Sequence, residues 1–131
     1  MSGRLNKAKK FYSTTEKSSI KVQDPVSIVK TMVKELQNSM NKVIDSTGKE
    51  NERFVRTKYF SRSLVIIYTL QTTLDFDKGE KLATKLFQIY EYCRQQLIKC
   101  FKEQVVEGTY KAINALENIF NVNIEANSNV E

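Results

Sequence analysis

Cys93 and Cys100 are the only thiols in the chain, and histidine is absent. A thiolate nucleophile needs a neighbouring base or cation to activate it, and neither cysteine has an imidazole partner. The two lie seven residues apart in one predicted helix, about 10 Å along its axis. A disulfide needs Cα atoms within roughly 7 Å, so the pair reads as two small buried hydrophobes in a reducing compartment. The nearby carboxylates, Asp75 with Asp77 and Glu117 with Glu125, read as helix caps and solvated groups rather than an acid–base pair. No Glu-x-x-His pair exists for a di-iron site, and the four glycines form no phosphate loop. Without the commonest general base and metal ligand, the sequence points away from catalysis and toward binding.

These residues belong to helices. Asp24-Pro25 reads as an N-cap followed by proline at the first helical position. The first predicted helix runs from there to about Ser46, with Ile28, Val29, Met32, Val33, Leu36, Met40, Val43 and Ile44 inward and Gly48 just beyond its end. The second spans about Glu50 to Leu74. Its β-branched run suits a strand, but nothing interrupts the segment, and Phe60, Leu64, Ile67, Leu70 and Leu74 step by three and four. A polar turn, Asp75 to Gly79, leads to the third, about Gly79 to Lys102. Its main line is Leu82, Leu86, Ile89, Cys93, Leu97 and Cys100, widened by Ala83, Tyr90 and Phe101. The fourth spans about Val106 to Phe120, with Tyr110, Ile113, Leu116 and Phe120 inward and Gly108 weakening its first turn. Short connections make neighbours antiparallel, so the expected fold is an all-α, up-down-up-down antiparallel four-helix bundle over residues 24–120.

Length and charge set the flanks. A chain of 131 residues is one domain with a workable core. Residues 121–131 are asparagine-rich and are expected to form a flexible tail. The net charge is +6, and residues 1–22 hold six cations against Glu16 alone, leaving +1 for the rest. Residues 1–23 therefore form a basic, polar leader, disordered or folded back on the bundle. No apolar signal segment follows the basic start, and LVIIY at 64–68 is too short to span a bilayer. A soluble, cytoplasmic protein is expected, without membrane insertion.

The run TLQTTLDFDKGEKLATKLFQIYEYCRQQLIK resembles the FliS family of flagellar export chaperones, the cytoplasmic chaperones of flagellin. The carrying residues are Thr72, Thr73, Leu74 and Asp75, then Gly79, then Ile89, Tyr90, Glu91 and Tyr92. Ile20, Val22, Asp24, Pro25, Ile28 and Val29 match the family's pattern before and into its first helix. The chain differs in MVKELQ where a Tyr-Asp pair is usual, in a single Gly79 for a double glycine, in Ile119 and Phe120 for an Arg and a Trp, and in keeping only Tyr12 of the N-terminal tyrosines.

The resemblance implies a chaperone that binds the disordered C-terminal segment of flagellin, prevents its premature polymerisation and helps deliver it to the flagellar type III export apparatus. It extends the partners to the export gate and to flagellin regulatory proteins, and it implies no cofactor and no metal. For the flagellin-binding groove it points to Ile66, Tyr68, Leu70, Ile89 and Tyr92. Phe11, Tyr12, Ile20 and Val22 of the leader would cover that groove when it is empty. A monomer or weak homodimer is expected. Two other readings compete. One is a nucleic-acid module using the leader with Arg53, Arg56, Lys58 and Arg62, which the scarcity of Arg in the leader disfavours. The other is a structural bundle that pairs with itself through residues off the main stripes of the second and third helices.

Overall fold

The computed structural model describes the backbone of residues 24–130 and the side chains of residues 24–121. Phe11, Tyr12, Ile20 and Val22, and the leader as a whole, lie outside the described residues. Helix α1 spans Pro25–Ser46, a 3-10 turn spans Glu50–Glu52, and helices α2, α3 and α4 span Arg53–Thr72, Glu80–Glu103 and Glu107–Val130. Among the described residues there is no strand.

Local chemistry fixes the helix ends. The Asp24 side chain accepts the Ser27 amide at 2.7 Å, and Pro25 takes the position where an N–H would be orphaned. That bond holds the Asp24 carboxyl below its ordinary value. At the other end of α1, Arg56 Nη1 donates to the Ser46 carbonyl at 2.6 Å, satisfying an acceptor the helix leaves open. Gly48, at φ +79°, makes the left-handed turn that follows. Helix α3 ends on Gln104, also left-handed at φ 60°, whose amide donates to the Cys100 carbonyl at 2.9 Å.

The helices form a ring in which α1 packs on α2, α2 on α3, α3 on α4 and α4 back on α1. Each neighbour runs the opposite way. Arg56 meets Ser46 and Arg62 pairs with Glu35 between α1 and α2. Phe60 stacks on Phe101, while Gln71 reaches Glu91, between α2 and α3. Thr109 donates to the Gln96 carbonyl, and the Tyr90 and Phe120 rings lie 6.5 Å apart, between α3 and α4. The core is Leu36, Met40 and Val43 of α1, Ile67 and Leu70 of α2, Tyr90, Cys93, Leu97 and Cys100 of α3, and Ala112 and Leu116 of α4.

Three expectations change. Tyr110 does not face inward; it is nearly half-exposed. Helix α4 approaches α3 through small residues, Gly108, Thr109 and Ala112. A Cβ at Gly108 would sit 1.9 Å from Gln96 Oε1, and Ala112 offers its carbonyl to Cys93 Sγ at 3.9 Å. The buried line of α4 runs Thr109, Ala112, Leu116 and Phe120, and Tyr110 lies off it. Ile28 is also nearly half-exposed, since the buried face of α1 begins at Val33. Helix α4 continues past Phe120, its expected end, to Val130.

Both cysteines are fully buried, and burial pushes the Cys93 thiol up to about 12. Neither thiol should react with a thiol-specific reagent in the native protein at neutral pH, and both should react once it is unfolded in urea. Rapid native labelling of Cys93 would contradict the packing.

Candidate functional site: an apolar cleft at one end of the bundle

The cleft begins with the turn between α2 and α3. The hydroxyls of Thr72 and Thr73 donate back to carbonyls of the last turn of α2, closing it. Asp75 Oδ1 then accepts the amides of Asp77 and Lys78 at 3.1 and 3.3 Å, so this carboxylate shapes the turn. Leu74 is left half-buried beside the start of α3. Helix α1 also begins at this end, and α4 passes through it.

Between these elements lies a cleft of about 320 Å³. Its walls are Val26 and Val29 of α1, Leu74, Leu82, Ala83 and Leu86, and Ile119 and Phe120 of α4, with Asp75 and Lys78 as polar neighbours. The cause is visible in α3. Its fully buried line runs Ala83, Tyr90, Cys93, Leu97 and Cys100, and the residue at the cleft end is the smallest of the five. Leu82 and Leu86 flank that line and stay half-exposed. A methyl group stands where a larger side chain would close the bundle, so apolar walls are left facing a gap.

A second groove, about 290 Å³, lies between α1 and α4 and shares Phe120 with the cleft. Lys30, Lys34 and Gln37 line one side, Leu116, Glu117 and Asn121 the other. Glu117 accepts from Gln37 at 3.0 Å and Asn121 at 2.8 Å, and both bonds lower its pKa.

The five residues expected to form one groove are dispersed. Leu70 is in the core and presents nothing to a partner. Ile66 and Tyr68 lie two positions apart, about 200° around the helix, and so point to opposite flanks. Ile66 is on the flank where Arg62 meets α1, and Tyr68 on the flank where Gln71 meets α3. Ile89 and Tyr92 turn toward the side of α3 that packs on α4, marked by Gln96 and Thr109. Both are half-buried, whereas Tyr68 is 69% exposed. Leu74, Leu82, Leu86 and Phe120, which line the actual cleft, were assigned to inner stripes. The available signal was Ala83, an undersized residue among large ones.

On the outer seam of α2 and α3, Arg94 grips Glu91 with Nε at 2.9 Å and Nη2 at 2.5 Å, and Gln71 donates to the same carboxylate at 3.3 Å. The Arg94 hydrogen bonds pull the Glu91 carboxyl down to about 2. Two cations of the nucleic-acid reading are engaged elsewhere: Arg56 on the Ser46 carbonyl and Arg62 on Glu35. Among the described residues no cluster of metal-ligating side chains occurs, and no helix is long and apolar enough to cross a membrane.

The described residues form an all-α bundle of four helices with an apolar cleft open at one end. The model of one family, described as Flagellar protein FliS, matches residues 8–129, and the chain belongs to that family of flagellar export chaperones. No curated protein and no solved structure matches the chain.

Because the Glu91 pKa is depressed on folding, its contribution to stability is complete above the ordinary carboxylate value of 4.5 and fades as pH falls toward 2. Urea midpoints of the wild type and Glu91→Gln should differ at neutral pH and converge at the acid end. A gap that stays constant across that range would contradict the Arg94–Glu91–Gln71 geometry.

Proposed function

We propose that the protein holds the C-terminal segment of flagellin in the cytoplasm before export, and that the end cleft is a principal seat for it. The reading rests on membership of the FliS family and on one structural observation, the open apolar cleft walled by Leu74, Leu82, Leu86 and Phe120. An amphipathic segment left free exposes a face that can pair with copies of itself, and seating that face removes it from solution. Each leucine-sized side chain buried contributes about 1.5–3 kcal/mol. Ordering the segment costs about 2–5 kcal/mol, so several anchors are required and the complex stays releasable at the export apparatus. The export gate and flagellin regulatory proteins are proposed as further partners.

The leader fits the same scheme. It joins the bundle at Asp24, beside Pro25 and Val26 on the cleft wall. At about 3.3–3.6 Å per extended residue, a leader joined at Asp24 is long enough to bring Phe11, Tyr12, Ile20 and Val22 to that wall. These four side chains are proposed to cover the cleft until flagellin displaces them.

Titration calorimetry with a peptide of the flagellin C-terminal segment tests the seat. Leu82→Asp combined with Leu86→Asp, with helicity checked by circular dichroism, should weaken binding more than about tenfold, a change of about 1.4 kcal/mol. Unchanged affinity in the folded variant would place the seat elsewhere. The apolar walls also predict only mild salt dependence, in contrast to the steep fall of a phosphate-binding surface.

Removing residues 1–18 should raise the affinity for the same peptide. A loss of about tenfold or more would instead make the leader a contact arm.

A further inference from the structure

Helix α2 has two apolar sides. Ile67 and Leu70 face the core, yet Phe54, Val65 and Tyr68 stand 81%, 64% and 69% exposed on the outside. The outer residues are not scattered. Positions 54, 58, 61, 65, 68 and 72 step by four and three, the spacing that keeps one helix in register with a partner helix. Every one of the six is exposed, and the strip runs about 27 Å along the helix. Lys58, Ser61 and Thr72 fill the remaining places, short or flexible enough to leave the apolar three accessible. A monomer ordinarily keeps such residues apart, and an exposed apolar strip marks a contact surface.

Charge identifies what can lie on it. Arg53–Thr72 contains Arg53, Arg56, Lys58 and Arg62 and no acidic residue. Arg56 and Arg62 are turned toward α1, but Arg53 is exposed beside the strip and Lys58 is exposed within it, its ammonium 5.5 Å from the Tyr59 ring centre. A second copy laid parallel would bring Arg53 and Lys58 of one helix against the same pair of the other, which opposes that pairing. The leader carries six cations against one anion and is mismatched for the same reason. Helix α4 lies diagonally across the ring from α2.

We propose that the solvent face of α2 is a docking strip for an amphipathic helix of another protein, one with apolar residues at heptad spacing and acidic residues on their flanks. The strip is separate from the end cleft: Phe54 stands at the opposite end of the bundle, and Val65 and Tyr68 point away from the cleft walls. The chaperone can then hold a client and a second partner together.

Two synthetic three-heptad peptides test this on the full chain by fluorescence anisotropy. Both carry leucine at the heptad core positions; one has glutamate at the flanks, the other lysine. The glutamate peptide should bind at least about tenfold tighter than the lysine peptide. Val65→Ser with Tyr68→Ser, which leaves the core untouched, should abolish that binding, and Lys58→Glu with Arg53→Glu should reverse the preference. A saturating flagellin C-terminal peptide should not displace the glutamate peptide. The proposal fails if both peptides bind alike, if binding survives the Val65 and Tyr68 substitutions, or if the flagellin peptide displaces the probe, since the strip would then be part of the client seat. It also fails if sedimentation shows wild-type dimers that those two substitutions disperse, or if duplex DNA competes for the strip at physiological salt.

Discussion

Five consecutive apolar residues on a helix cannot all face one interior. Leu64 to Tyr68 of α2 sweep about 400° at 100° per residue, more than a full circle. The bundle takes Ile67 completely and Leu64 and Ile66 in part, and it must leave Val65 and Tyr68 outside. This constraint governs the surface of the molecule. The apolar content of α2 exceeds what its own core can enclose, and the excess is held in fixed positions by a rigid helix.

The cleft arises from the opposite imbalance. At the end where α1 begins, the interior of α3 narrows from Tyr90 to Ala83, and walls built of leucine, valine and phenylalanine face a space nothing described fills. Interiors pack to crystal-like density, so an unfilled apolar gap of this size is costly unless another chain completes it. Several polar groups at this end and along the neighbouring seam are already paired. Asp75 holds the turn, the threonine hydroxyls close α2, and Arg94, Glu91 and Gln71 tie α2 to α3. What remains unsatisfied is hydrophobic surface, which suits recognition of an apolar segment by shape and area.

The helices were legible because their signals are local. Asp24-Pro25 and the three- and four-step spacings are written in neighbouring residues and give the start of α1, the inner line of α2 and the Cys93, Leu97, Cys100 end of the α3 line. The β-branched run in α2 was correctly read as helix. The failures involve relations between helices. Tyr110 fits an amphipathic pattern, yet α4 buries the line through Thr109, Ala112, Leu116 and Phe120 and leaves Tyr110 outside. Ile66 and Tyr68 both lie off the main stripe of α2 in the sequence, and the helix sets them about 200° apart on opposite flanks. Leu82 and Leu86 looked like core because spacing reports which side of a helix is apolar and says nothing of whether a neighbour closes over it.

The end cleft is proposed as the seat of the flagellin C-terminal segment. Methyl-labelled NMR of the full chain during addition of that segment tests it residue by residue. The largest shifts are expected at the methyls of Val26, Leu74, Leu82 and Leu86, with Val65 unmoved. Binding that leaves those four methyls unperturbed and shifts others would contradict it.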